Sequence, residues 1–368
     1  SLIVGLLPAL WSRGPVDFTK MVVALPAVIG LAGLGADTLA RSVLRLTDTD
    51  RLLGQPATLV PIVGLTLVAM VFAWTELKSW GGRADVSATY SGRLGHLAAY
   101  LDRVQDTLTT SICTLNLDAS NPRQISDPAL ISLMMHHKEE NLRFSNCLNG
   151  LVITRGGERQ RFAYADPAAQ DAISPLLKGW LKNPRPIPVA GLPEGTLFEF
   201  DSVRALADIG GQLAVNPIRW DPSVLGPSAT APLPVRMGDY LTFKGYQLFP
   251  GPVLRPGDTL YVVSYWRADG PQDANLRIFV HVLIDPSVPP VLQNDLLSIR
   301  PEYLADRDIF IQVTALPLSK GFAEGHYDLS VGAYHNLIAG QVRLPIYDQM
   351  QPRGDRMFLN SIEVLGRD

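Results

Sequence analysis

The sequence predicts a membrane-anchored α+β protein in three parts: transmembrane helices, then a small α/β domain, then a C-terminal antiparallel β-sandwich. Three observations predict it. Residues 21–40 and 57–77 are apolar runs about as long as the ~20 residues needed to cross hydrocarbon. Residues 84–215 alternate strand-like and helix-like patterns, as an α/β unit does. Residues 237–368 hold 15 of the 29 aromatic residues in about a third of the length, as a strand-built core requires.

Composition narrows the class further. A chain of 368 residues exceeds what one core usually serves, so two or three domains are expected. Apolar residues make up 47% and charged residues 18%, and the mean hydropathy is +0.13. These values exclude a disordered or collagen-like chain and fit a membrane part joined to a water-facing part. With 32 basic against 35 acidic residues, the net charge of -3 leaves no electrostatic footprint for nucleic acid. Two cysteines are too few for a disulfide scaffold, an iron–sulfur cluster or a Cys-based zinc site, and no CxxCH haem motif occurs. No cofactor is expected.

Residues 1–80 read as the membrane region. The opening run 1–11 is too short to span and reads as the tail of a helix that begins outside this sequence; 21–40 and 57–77 read as full spans. Arg41, Arg45 and Arg51 against Asp48 and Asp50 place the intervening loop on the cytoplasmic side, so residues after about 80 are expected outside, in the periplasmic compartment. Trp74 and Trp80 suit an interfacial belt at the outer end. Gly30, Gly33 and Gly35 mimic a nucleotide loop, but no strand precedes them. Gly33, Ala32 and Ala36 read better as small residues allowing close helix packing, and Asp37 as a solvated interfacial acid.

In 84–215, Leu94, Leu97, Leu101 and Val104 recur at helical spacing. Residues 111–117 read as a buried strand, and Asp127 with Pro128 opens a helix running through the following histidines. Residues 143–155 read as a strand region and 171–181 as a helix. Segment 216–236, with Pro217, Pro222, Pro227, Pro232 and Pro234, is the expected linker. Beyond it, aromatic and β-branched runs separated by Pro, Gly and Asp argue for six or seven sandwich strands.

The stretch LLPALWSRGPVDFTKMVVALPAVIGLAGLGAD, the basic loop, the last apolar run and GRLGHLAAYLD together resemble the end of the membrane region in bacterial protein-mannosyltransferase-like (dolichyl-phosphate-mannose type) glycosyltransferases. LRPGDTLYVVSYWRADGPQDANLRIFVHVLID and GHYDLSVGAYH are similar to the extracytoplasmic sandwich tail that some of those proteins carry. The resemblance implies a fragment lacking the catalytic N-terminal part. The family's acidic catalytic residues lie in a first outer loop that this sequence does not contain, so no catalytic residue carries over. Asp17 is the acid nearest the membrane on the outer side, and nothing else marks it as a base.

Other constellations are weak. His136 and His137 are adjacent, so on a helix their rings diverge and read as solvated. His281, His326 and His335 fall on or beside strands, where three imidazoles could bind zinc but separate positions are the plainer reading. No GxSxG elbow occurs. Tyr265 and Trp266 beside Arg267 form a candidate sugar-stacking or partner-contact platform, although a sandwich core needs such aromatics too. Cys113 and Cys147 are a candidate disulfide, both expected on strands of one unit in an oxidising compartment.

The function expected first is a non-catalytic accessory or scaffold subunit of a larger membrane complex, covering it on the outer face; a respiratory or photosynthetic electron-transfer complex is one host. The alternatives are the C-terminal part of a polyprenyl-phosphate-sugar-dependent glycosyltransferase and a membrane-anchored carbohydrate-binding module. Membrane lipid, other membrane-protein subunits and carbohydrate are the expected partners.

Overall fold

The computed structural model describes residues 92–366 with short breaks at 105, 119–124, 138–140, 157–158, 182–183, within 202–215, at 226–229 and at 349–350, together with parts of 64–79. The chain forms two compact units, Ser1–Tyr90 and Ser91–Asp368. In the first, the described residues are helical and expose Leu67, Met70, Phe72 and Trp74. The second is mostly β-sheet, in three sheets.

The membrane-anchored fold class is corrected here. Among the described residues no helix is long and apolar enough to cross a membrane, and sheets dominate the architecture. The short opening run 1–11, the run 21–40 with Ala32, Gly33, Ala36 and Asp37, Trp80 and much of 57–77 lie outside the described residues.

The first sheet of the larger unit has strands in the order Leu142–Ser145, Thr110–Cys113, Gln160–Tyr164, Leu197–Phe200, Arg185–Pro186. The first three run parallel to one another, and Leu197–Phe200 runs antiparallel to both of its neighbours. Period-two alternation gives it two apolar faces. Ile112, Phe144 and Ala163 meet Leu94, Leu97 and Ile131 of helices Gly92–Val104 and Asp127–Met134. Phe162, Phe198 and Phe200 point the other way, into a second core with Leu177, Trp180 and Leu181.

The second sheet has seven antiparallel strands, and its centre is made by Leu241–Phe249, Thr259–Ala268 and Ile309–Pro317. Its outermost strand, Gly150–Ile153, comes from the expected α/β segment and pairs with Ile309–Pro317. Its central strands feed a buried core on each face. Val263, Tyr265, Ile311 and Val313 enter the core shared with the first sheet. Val262, Trp266, Phe310 and Leu316 enter a third core, closed on its far side by Ile278, Val280, Val282, Leu329, Val331 and Ala333 of the third, nine-stranded sheet.

The proline-rich segment 216–236 takes part in these sheets. Ile218–Arg219 pairs with Thr230–Ala231 and with Phe358, and Val235–Met237 pairs with Leu241–Phe249. Tyr246 clamps this segment to the C-terminal one: its hydroxyl donates to Pro217 O at 3.1 Å and accepts from Asn360 N at 2.7 Å. The Arg143–Asp308 ion pair, nearly solvent-free on both sides, fastens the first sheet to the turn before Ile309–Pro317. Asp308 is also served by the backbone N–H groups of Arg155 at 3.0 Å and Ala305 at 2.8 Å, which offsets the cost of burying its charge.

Cys113 and Cys147 are joined by a disulfide with Cα atoms 5.6 Å apart. Cys113 ends a strand and Cys147 sits in the turn between Leu142–Ser145 and Gly150–Ile153. Replacing both with serine should lower unfolding free energy by roughly 3–4 kcal/mol, the loop-closure value for this separation; urea unfolding with matched m-values measures it. Burial pushes the Tyr246 phenol up to about 12. A raised folded value means stability present below the ordinary value near 10 and lost as pH climbs toward 12. Thermal midpoints should therefore fall across that window, and Tyr246→Phe should remove part of the fall while costing about 1–3 kcal/mol at neutral pH by orphaning two backbone groups.

Candidate functional site

The outer face of the nine-stranded sheet carries the densest polar chemistry on the described residues. Strands Leu276–Leu283 and Gly325–Leu337 run antiparallel, and because alternate residues enter the core, Arg277, Phe279, His281, Asp328, Ser330, Gly332 and Tyr334 share the opposite face. Phe358 lies beside Ser330, and Arg219 beside Phe358. Gly332 has a steric reason to be glycine: a Cβ there would lie 2.3 Å from Phe279 Cζ and 2.9 Å from the Asp355 carbonyl. Its absence lets the Phe279 ring lie across the neighbouring strand.

Three guanidinium groups cover this aromatic bed. Arg343 lies 4.9 Å from the Phe279 ring centre, and Arg356 and Arg219 lie 5.2 and 6.0 Å from that of Phe358. Each has an acidic partner: Arg343 with Asp355 at 3.3 Å, Arg356 with Asp221 at 2.6 Å, Arg219 with Asp328 at 2.8 Å. Stacking fixes the planes and pairing fixes the rotation, so the donors are held in place without a ligand. Burial alone would raise the Asp221 carboxyl, but Arg356 and Ser223 outweigh it and hold it below the usual range.

Below them, Asp295 accepts from Tyr334 Oη at 3.3 Å and contacts His281 Nε2 at 3.3 Å. Burial holds the His281 imidazole below its ordinary value, with Asp295 pulling it back up. Burial and then Asp295 raise the Tyr334 phenol. Ser330 Oγ, fully buried next to His281 and Phe358, finds no hydrogen-bond partner among the described residues.

A second polar cluster lies on the first sheet's helical side. Helix Asp127–Met134 stops at Met134, with Met135 extended, so His136 and His137 stand off the helix and do not diverge as expected. Both converge on Asp102: His136 Nδ1 at 2.8 Å, His137 Nδ1 at 3.1 Å, and both backbone N–H groups at 3.0 Å. The backbone N–H of His137, then that of His136, holds the Asp102 carboxyl well below the usual range. Beside it is a cleft of about 250 Å³ lined by Asp106, Met135, Asn141 and Arg161. Asp127 is not the helix cap; it sits in the first turn and accepts from Asn116 Nδ2 at 3.1 Å and from Thr114 Oγ1.

The Tyr265–Trp266–Arg267 platform does not form. Neighbours on a strand face opposite ways, so Tyr265 stands in the core with Trp180, ring centres 6.0 Å apart, while Trp266 packs on Phe243 at 4.9 Å in the other core. Both rings are buried, and Arg267 pairs with Asp269 at the surface. His281 is buried, His326 is exposed near Glu363, and His335 is partly exposed at a strand end, so the three do not meet. No group of three His, Cys, Asp or Glu side chains arranged to hold a metal ion occurs among the described residues. Sequence reading missed the outer face because Arg219, Arg343 and Arg356 are far apart in the chain.

No family model matches this chain, and no curated protein matches it. Among solved structures, the C-terminal domain of wzt is similar over 36% of this chain and 78% of its own, at 12% identity and a TM-score of 0.28. A Niemann-Pick type C2 protein from the Japanese carpenter ant is similar over 35% of this chain and 95% of its own, at 6% identity and a TM-score of 0.23. The PmoD soluble domain from Methylocystis sp. covers 36% and 97%, at 12% identity and a TM-score of 0.16. Likenesses this low carry no argument about function.

Replacing Asp102 with Asn removes one acceptor oxygen from a site that serves two backbone N–H groups and meets two imidazole nitrogens. Amide hydrogen exchange at His136 and His137 should then quicken, with the strands of the first sheet unchanged.

Proposed function

We propose that this chain is a non-catalytic accessory module that works outside the cytoplasm and recognises carbohydrate on the outer face of its nine-stranded sheet. The observation that carries the reading is the set of guanidinium–carboxylate pairs laid over Phe279 and Phe358. A sugar offers hydroxyl groups that both donate and accept, together with apolar ring faces. Fixed donors next to fixed acceptors answer the hydroxyls, and their charge-assisted bonds are the strong ones. Three arginines balanced by Asp221, Asp328 and Asp355 favour a neutral sugar over an ionic ligand. The Cys113–Cys147 disulfide supports an oxidising compartment. The sequence resemblance to the tail of a mannosyltransferase-like protein accords with a module that serves glycan chemistry performed elsewhere.

Binding to a panel of neutral polysaccharides, followed by calorimetry on the strongest ligand, tests this. Arg343→Ala should weaken binding by roughly ten- to a hundredfold, the value of a lost charge-assisted hydrogen bond, with an unchanged circular dichroism spectrum. A folded wild type that binds no member of the panel rejects the carbohydrate reading. Sugar transfer by the purified chain from a polyprenyl-phosphate donor would replace it with the glycosyltransferase reading.

A further inference from the structure

We infer that His281 is a proton switch beneath the outer face of the nine-stranded sheet, and that its protonation in mildly acidic surroundings releases the bound sugar. The inference rests on the carbohydrate reading of that face. His281 is buried, opposite Gln293 on one neighbouring strand and Ser330 on the other. Its ring stacks on Phe279, with centres 4.5 Å apart and planes 31° apart. Phe279 is also the ring that Arg343 covers at 4.9 Å. The imidazole therefore shares its aromatic neighbour with one of the guanidinium groups assigned to the ligand.

A proton arriving on this ring meets too little negative charge. Among the described residues, the groups that face it are Asp295 from Leu292–Asp295, Ser330 and Tyr334 from Gly325–Leu337, Arg343 from Gly340–Arg343, and Arg356 from the loop before Met357–Phe358. Arg277 lies two residues along its own strand. Asp295 is the carboxylate in contact, 3.3 Å from His281 Nε2, and its other oxygen already accepts from Tyr334 Oη at 3.3 Å. Asp355 and Asp221 are engaged by Arg343 and Arg356. Burial first, and then Arg343 and Arg356, hold the imidazole below its ordinary value against the pull of Asp295. A lowered value means that the closed face prefers the neutral ring. As pH falls below about 6.5, any state that wets the ring takes the proton more readily and gains population. The movable part is Arg343. Its pair with Asp355 spans 3.3 Å between two partly exposed side chains, so it is weakly held. An imidazolium would also set a second cation against the same Phe279 ring. Arg356 is better anchored, by Asp221 at 2.6 Å and by Pro286 O at 2.8 Å. Acid should thus free Arg343 first and take one fixed donor out of the site.

The test uses the full chain, with and without sugar. Without sugar, NMR follows His281 Cε1–H and Arg343 Nε–H from about pH 7.5 to about pH 5.5, a range that stays above the ordinary carboxylate values. The two signals should move with one midpoint, and it should lie below about 6.5. With sugar, dextran, mannan and galactan are titrated calorimetrically at both ends of the range. The strongest binder should be held at least about threefold more weakly at the acid end. In His281→Gln, which cannot take the proton, the affinities at the two pH values should agree with each other; His281→Asn replaces it if the glutamine variant does not fold. An Arg343 signal that ignores the His281 titration, a wild type that binds equally at both pH values, or a variant that keeps the wild-type loss would each overturn the switch. If none of the three polysaccharides binds at the neutral end, the carbohydrate reading falls by itself, and the titration without sugar still decides whether His281 governs Arg343.

Discussion

The described residues of Ser91–Asp368 are arranged around a seven-stranded sheet whose central strands feed a buried core on each face. A sheet so placed must fill both sets of alternate positions with apolar groups and give every polar group an internal partner. The few polar residues on its central strands obey this. Trp266 Nε1 donates to Ser264 Oγ at 2.9 Å, Ser264 Oγ donates to Gln312 O at 3.3 Å, and Gln312 Oε1 accepts from Ser298 N at 2.8 Å. The helices, the disulfide and the smaller sheet cover one side; the nine-stranded sheet covers the other. Burial of the inner faces then leaves the outermost β-surface as the place where charged groups gather.

How far the sequence disclosed this depends on range. Strands at 241–249 and 259–268 were legible to the residue, because Gly, Pro and Asp punctuate aromatic and β-branched runs there. The amphipathic helix at Gly92–Val104 was legible from its leucine spacing. The helix at Asp127 was read too long, since nothing in the histidines themselves shows that Asp102, distant in sequence, will draw them off it. The proline-rich 216–236 looked like a tether because proline removes donors, yet two-residue strands need few donors. The Tyr265–Trp266 platform was a misreading of period two, a rule visible in the sequence itself.

The outer face was not legible at all. Its arginines come from Ile218–Arg219, from Gly340–Arg343 and from the loop before Met357–Phe358, and only long-range register sets them over the two phenylalanines. Composition hides them as well: a chain with near-equal counts of acids and bases shows no patch. The same neutrality has a physical use, since a balanced array keeps each guanidinium oriented while raising no field that would attract ions indiscriminately.

The pairing of Gly150–Ile153 with Ile309–Pro317 has a consequence for the order in which the molecule can be assembled. The N-terminal half of this unit leaves the ribosome first, but its strand cannot pair with Ile309–Pro317, nor its Arg143 with Asp308, until the chain has grown past residue 317. The early segment must wait with an open strand edge. Vectorial synthesis therefore favours helpers that hold the nascent chain, and a ribosome pause between the two halves would lengthen the dangerous interval. A circular permutant beginning near residue 216 would reverse the order of waiting.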